Sequence, residues 1–512
     1  MHQERRCSRA QLFLIMAGHT RTRTGCWTCR EAGYKCDEQK PNCGRCIRLK
    51  KECKGYGVKL KWKVATSAPA PRKHHTKRSK SIDKISTGSP VSINSPNSTF
   101  SIASAPNSWG DRTARECFDL VSSPATSLST QPDLSWTDQR LLQYWLGSLS
   151  SLISLAPRNG GPNSFQLHLA SMTCSRGALQ STVLSMAATH LSLATGDTSL
   201  RFEAYKHQRD AIHMLQLLIQ DPYQADEDPT LATVMMMQVS ARLFGDEEEA
   251  HAANHLTGAK AMIARRRSRL GNGPSSSEQF LTSLFAYHDI LSSVSRGSPP
   301  LDIHNADFDA IEGAPSMKGV AMVLQIVARI SAFHERAKAE RFLYNRSNLE
   351  GDNFMIGARI QQELLDLTFD IPMTNSELRN INLTAEAYRQ AAFIYLYRVW
   401  IDVGAPNPTT VKHVEECLAC IKQVPPDSPL ASSHTWPLFT AGCETFDEMQ
   451  RQFVRGRFLS MYESRKFPSL KRVLRDVEDV WDAKDAEQVM GGMKLDCIQV
   501  ILQRRGREVD LA

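Results

Sequence analysis

The sequence predicts a mainly α chain in three parts: a small cysteine-organised module near the N-terminus, a disordered linker and a large all-helical domain. Three observations predict it. Six of the thirteen cysteines fall between Cys26 and Cys53. A stretch rich in Ser, Thr, Pro and Asn follows, with too few large apolar residues to offset the entropy of ordering it. From about Leu134 onward, apolar residues recur at three- and four-residue spacing while strand-like alternation is scarce. The division is then 1–18 as an unstructured extension, 19–64 as the cysteine module, 65–133 as a basic then Ser/Thr/Pro-rich disordered linker, and 134–512 as the helical domain.

Composition narrows the function classes. With 41% hydrophobic and 23% charged residues, the 512-residue chain lies in the ordinary globular range. No run of about 18 apolar residues exists, so no transmembrane helix and no membrane role are expected. The net charge of +8 is unevenly spread: residues 1–80 hold 21 Lys+Arg against 5 Asp+Glu, and the remainder 41 against 49. A basic head on a mildly acidic body points to a polyanionic partner for the head. In the extension, Arg5 and Arg6 precede Leu12–Met16, loosely like a signal peptide, but the apolar stretch is short and basic residues follow it.

The cysteine module is an internal repeat. Its spacing is Cys26-x2-Cys29-x6-Cys36-x6-Cys43-x2-Cys46-x6-Cys53, so C-x2-C-x6-C occurs twice. Each half gathers two thiolates across a tight turn and a third after a short helical segment. Zinc normally takes four tetrahedral ligands. Two zinc ions need eight ligand positions, and six thiolates supply eight only if two of them are shared. The pattern therefore implies two Zn2+ ions held by Cys26, Cys29, Cys36, Cys43, Cys46 and Cys53, in a reducing compartment. Such a site is closed to water, so catalysis at zinc is not expected, and no phosphate loop or nucleophile elbow occurs elsewhere.

The segments Gly25-Cys26-Trp27-Thr28-Cys29-Arg30, Lys35-Cys36-Asp37-Glu38, Pro41-Asn42-Cys43-Gly44-Arg45-Cys46 and Cys53-Lys54-Gly55-Tyr56-Gly57 resemble the fungal zinc binuclear cluster transcription factors. The resemblance implies that the first and fourth cysteines, Cys26 and Cys43, bridge the metals, and that Pro41 is the family's loop proline. It implies double-stranded DNA as partner, a nuclear location and regulation of RNA polymerase II genes through the transcription machinery or co-regulators. The family's base-reading basic residues fall at the positions of Ala32 and Gly33, neither of which can donate a side-chain hydrogen bond. Arg30 and Lys35 match positions that touch phosphate, which orient a protein without specifying sequence. Tyr34, Lys59, Lys61 and Lys63 are the candidate compensating contacts. A protein-binding module in place of a DNA-reading one is the alternative that Ala32 and Gly33 raise.

In the linker, Arg72, Lys73, Lys77, Arg78 and Lys80 form a basic run read as a nuclear localisation signal. The segment 65–133 shows no heptad repeat, so any homodimer is expected to form through the helical domain or on DNA. That domain begins with the stripe Leu141, Leu142, Trp145, Leu146, Leu149, Leu152 and Ile153. Asp228 is read as a helix cap before Pro229, Gly245 as the stop, and Asp246–Glu249 as the acidic first turn of a next helix. Further helical segments are expected through 178–194, 201–220, 279–294, 319–340, 355–368, 384–401, 411–422 and 445–463. Leu231-Ala232-Thr233-Val234, His255-Leu256-Thr257-Gly258-Ala259 and Trp436-Pro437-Leu438-Phe439 resemble the same family's regulatory domain. Cys417 with Cys420, and His251 with His255, are read as structural residues rather than metal ligands.

Overall fold

The computed structural model describes, in the N-terminal part, Cys26, Thr28, Cys29, Ala32, Cys36, Asp37, Gln39 and residues 42–54. It then describes 134–154, 161–245, 255–269, 274–302, 317–345, 348–369, 376–490, 497–505, Val509 and Leu511. The N-terminal extension, the linker, and the helix start expected at Asp246–Glu249 lie outside the described residues. The chain divides into two compact units, Met1–Ile102 and Ala103–Ala512.

Among the described residues of the first unit, Thr28 and Cys29 are helical and a short helix, α1, runs over Gly44–Arg48. The second unit holds α2 (Trp136–Tyr144), which passes through a π turn at Trp145–Leu149 into α3 (Ser150–Ile153), then α4 (Ser164–Thr173), α5 (Ala178–Thr195), α6 (Ser199–Gln220), α7 (Asp228–Phe244) and α8 (His255–Arg269). It continues with α9 (Ser276–Arg296), α10 (Lys318–Tyr344), α11 (Gly351–Asp366), α12 (Ser376–Trp400) and α13 (Pro408–Gln423). A 3₁₀ turn at Pro429–His434 leads into α14 (Thr435–Cys443), followed by α15 (Glu448–Arg465), α16 (Pro468–Met490) and α17 (Cys497–Arg505). No strand occurs among the described residues, and no helix there is long and apolar enough to cross a membrane.

Helix starts follow from local chemistry. The side chains of Ser135, Asn163, Ser275 and Asp447 each accept a hydrogen bond from a first-turn amide, satisfying a donor the helix leaves open. The start of α7 corrects the sequence reading. Its N-cap is Glu227, without a side-chain cap, and Asp228 lies inside the first turn beside Pro229. The Asp228 carboxylate is drawn away from the amides by Arg266 of α8, a partner 38 residues distant that no local rule reveals.

The core surrounds α5 and α12, both buried over most of their circumference. α5 packs against α6 and α7, and α12 against α10, α13 and α14. Trp145 and Trp436 are fully buried, as are Met235 and Met236. α11 crosses α12 so closely that a Cβ on Gly357 would lie 2.2 Å from the Trp400 ring. No side chain larger than hydrogen fits there.

One ionic centre ties three of these elements. The Glu444 carboxylate, buried after α14, accepts from Arg398 Nε (2.7 Å) and Nη2 (2.9 Å) of α12 and from Lys484 Nζ (2.8 Å) of α16. The amide of Ala405 donates to the same carboxylate at 3.0 Å. This explains an arginine within the apolar run of α12: the half-buried Arg398 is neutralised by a carboxylate of its own domain.

Candidate metal centre

The two C-x2-C turns fold alike. The amide of Cys29 donates to Cys26 Sγ at 3.4 Å, and the amide of Cys46 donates to Cys43 Sγ at 3.3 Å. Cys43 is thereby the N-cap of α1. The repeat in the sequence is a repeat in geometry, and each turn aims a sulfur back over its own amides, where partial positive charge favours a thiolate.

The two turns face each other. Cys26 Sγ lies 3.6 Å from Cys43 Sγ and 3.8 Å from Cys46 Sγ, and Cys29 Sγ lies 3.7 Å from Cys43 Sγ. Sulfurs bound tetrahedrally at about 2.3 Å from one zinc sit roughly 3.8 Å apart, so these separations suit shared metal ligation. Cys36 joins through its sulfur, which accepts from the Cys26 amide at 3.4 Å, and also lies close to Cys43. Cys53 is half-buried and packs against the other five, which are all buried.

Among the described residues, two polar side chains fix the chain around the cysteines. Thr28 Oγ1 donates to the Glu52 carbonyl (2.9 Å) and accepts from the Lys54 amide (3.0 Å), joining the first turn to the chain around Cys53. Asp37 accepts from the amides of Gly44 (3.0 Å) and Arg45 (2.8 Å), fixing the start of α1. A Cβ on Gly44 would come within 2.9 Å of that carboxylate, so glycine is what permits the contact. Burial pushes the Cys43 thiol up to about 12 and raises Cys26 further. Thiolates in so buried a place need cations, and an all-sulfur donor set suits zinc. When bound, zinc supplies the cohesion that a cluster without an apolar core lacks.

The predicted contact residues fare differently. Ala32 is exposed, its amide donating to the Thr28 carbonyl at 3.2 Å. Arg30, Gly33, Tyr34, Lys35, Pro41, Lys59, Lys61 and Lys63 lie outside the described residues, as do Arg72, Lys73, Lys77, Arg78, Lys80 and His251. Residues the sequence reading passed over are Arg48, Lys50, Lys51 and Lys54, all exposed around the end of α1. The dense basic run from Arg45 to Lys54 was the available signal. In the helical domain, Cys417 is buried in α13 with its thiol donating to the carbonyls of Ala387 (3.4 Å) and Pro437 (3.6 Å), a structural thiol as expected.

A paired-turn cysteine cluster and an all-helical domain define a class of zinc-organised regulators. Residues 24–63 match the fungal Zn(2)-Cys(6) binuclear cluster domain, and residues 140–511 match the fungal specific transcription factor domain. The chain belongs to the fungal zinc-cluster transcription regulators: its cluster domain binds two zinc ions, and the family regulates transcription rather than catalysing a reaction. Over 45 residues it is 49% identical to arginine metabolism regulation protein II of Saccharomyces cerevisiae, covering 9% of this chain and 5% of that protein. Over 36 residues it is 64% identical to white-opaque regulator 2 of Candida albicans, covering 7% of this chain and 8% of that one. An uncharacterized transcriptional regulatory protein of Schizosaccharomyces pombe is similar along the chain, at 23% identity over 505 residues, 90% of this chain and 92% of the relative. No solved structure matches.

Proposed function

We propose that the chain is a nuclear transcription factor that binds double-stranded DNA and regulates RNA polymerase II genes. Cys26, Cys29, Cys36, Cys43, Cys46 and Cys53 are the ligands of its two zinc ions, Cys26 and Cys43 being shared. The observation that carries this reading is the spacing of 3.6–3.8 Å among sulfurs from both turns, with Cys26 and Cys43 in most of the contacts. The domain limits are 19–64 for the DNA-binding module and 134–512 for the regulatory domain. Arg72, Lys73, Lys77, Arg78 and Lys80 serve nuclear import.

Phosphate contacts come from Arg30 and Lys35, joined by Arg48, Lys50 and Lys51, which are exposed, while Tyr34, Lys59, Lys61 and Lys63 are the compensating contacts. The methyl side chain of Ala32 reads no base, so affinity is expected to be steeply salt-dependent and weakly sequence-selective. Lys35→Ala is expected to weaken binding about equally on all duplexes and to lower the log–log salt slope by about one. Ala32→Arg with Gly33→Lys is expected to add about 1–3 kcal/mol of discrimination per good base contact. A salt titration of the protein on duplexes containing CGG, the half-site that the family resemblance implies, and on scrambled duplexes checks both. Tight, CGG-selective binding by the unaltered protein contradicts this contact assignment. No binding at low salt supports the second reading, favoured by exposed Ala32, in which the module binds a protein partner.

A homodimer through the helical domain has its own support. α6 buries Leu200, Ala204, His207, Ala211 and Leu215, yet on its other face Phe202, Tyr205, Ile212 and Ile219 are exposed at the three- and seven-residue spacing of a helix–helix seam. Ile212→Glu is expected to convert the sedimenting species from dimer to monomer with the helical content unchanged. A wild-type protein that sediments as a monomer at micromolar concentration contradicts it.

A further inference from the structure

A cavity lies among α3, α4, α7, α9, α15 and the start of α16, walled largely by apolar side chains such as Ile153, Phe165, Val239, Phe280 and Met461. Its empty space out to the mouth is about 830 Å³, and water-sized molecules can place their centres in about 70 Å³ of it. One water needs roughly 10–15 Å³ by the second measure, so there is room for the body of a small molecule.

Among the described residues, only one side chain on its wall carries a fixed charge. Arg465 is 4% exposed. Its guanidinium donates to Ser432 Oγ (2.7 Å), the Pro426 carbonyl (2.9 Å), Ser464 Oγ (3.0 Å) and the Ser428 carbonyl (2.5 Å). Those oxygens are neutral, so they satisfy donors and leave the charge. Arg457, two turns earlier on α15 and 6% exposed, donates to the Val424 carbonyl at 2.7 Å and has no partner at Nε. Among the described residues no carboxylate lies within ion-pair distance of either; Asp427, exposed at the surface, acts on both only from farther away. Burial, and for Arg465 the charge of Arg457, lower both guanidiniums to about 10. His288, also on the cavity wall and buried, has no hydrogen-bond partner at Nδ1.

Buried charges are ordinarily paired, because an uncompensated one is costly in a low-dielectric interior. The buried Glu444 carboxylate of this domain is paired in that way, with Arg398 and Lys484. We propose that the cavity binds a small amphipathic monocarboxylate, its apolar body against Phe165, Val239, Phe280 and Met461 and its carboxylate supplying the missing counter-charge beside Arg465. A single guanidinium on the wall matches one negative charge; the second charge of a phosphate would have no counterpart there. The site lies wholly within the helical domain and does not depend on what the zinc module binds.

The test is thermal unfolding of the zinc-loaded full chain with octanoate, decanoate and 3-phenylpropanoate, against the matching alcohols, acetate and inorganic phosphate. At least one of the three longer acids is expected to raise the melting temperature with an apparent Kd at least tenfold below that of its alcohol. Acetate and phosphate are expected to give no shift. A preference for alkanoates would mark an acyl chain as the natural body and a preference for the aryl acid an aromatic one; either supports the site. Leu284→Trp, which fills the cavity, is expected to abolish the ligand-induced shift. Because Arg465 also holds the Pro426–Ser432 turn, Arg465→Met is informative only where the variant folds, and should then erase the preference for acid over alcohol. No stabilisation by any acid at millimolar concentration, equal affinity for acid and alcohol, a shift with phosphate, or a shift that survives Leu284→Trp would each overturn the proposal.

Discussion

Cys43→Ala is expected to cost the N-terminal unit both zinc ions, whereas Cys53→Ala leaves one bound. Cys43 Sγ lies 3.6 Å from Cys26 Sγ and 3.7 Å from Cys29 Sγ, and caps the turn that carries Cys46. Its loss removes a sulfur common to both halves, while Cys53 sits half-buried at the margin. Structural zinc contributes on the order of 10–16 kcal/mol of apparent free energy in small zinc modules. The first unit has almost nothing else to hold it, since its buried apolar set among the described residues is the cysteines themselves. Native mass spectrometry should therefore find two zinc ions on the wild-type chain, one on Cys53→Ala and none on Cys43→Ala. Cys417→Ala should keep both. Equal retention by the two cluster variants would contradict the shared-ligand assignment, and one zinc on the wild type would contradict the binuclear one.

Glu444→Ala is expected to destabilise the helical domain by about 3–5 kcal/mol, the range for breaking a buried ion pair and leaving its partner uncompensated. Here two cations, Arg398 and Lys484, are left, and Lys484 is as deeply buried as the carboxylate. Set against a typical total stability of about 5–15 kcal/mol, such a loss is large. Glu444→Gln, which keeps the shape and one acceptor, should lie between. The same centre fixes a pH dependence. Burial alone would raise the Glu444 carboxyl, but the charges of Lys484 and Arg398 outweigh it and hold the group down to about 2, against 4.5 when free. A carboxyl lowered on folding stabilises fully above its unfolded value and progressively less as pH falls. That contribution should persist above about pH 4.5 and disappear toward pH 2, whereas Glu444→Gln should lack this dependence. Urea denaturation of wild type and variants between those limits measures it, and parallel pH profiles would refute the assignment.

Much of this was legible because it is local. α6, α10 and α15 follow the expected stripes, since one side of each faces a common core and the other water. α14 carries no such signal: Trp436, Leu438, Phe439, Ala441 and Cys443 are all buried, so the helix has no polar face to set a period. α16 is different, with Leu470, Val473, Leu474, Val477 and Val480 buried in a readable stripe beyond the segments taken as helical. At the candidate site, the cysteines were legible from spacing, but the roles of Asp37 and Thr28 were not. A capping carboxylate and a bridging hydroxyl have no distinctive spacing and are recognised only by the amides they meet.

The sequence by itself determined the repeat C-x2-C-x6-C, hence an all-sulfur site for two metals, because zinc geometry acts over a few residues and spacing encodes it directly. It also determined that the body is helical, since burial of one face imposes a period on the chain. Only the tertiary structure decided which charges meet. Glu444 finds Arg398 46 residues back and Lys484 40 residues ahead, Asp228 turns from its own helix to Arg266, and Arg465 comes to rest beside an apolar cavity with no carboxylate of the described residues within ion-pair distance. Electrostatic partners are chosen by distance in space and by the low dielectric that burial creates, and neither is written in the spacing of residues along the chain.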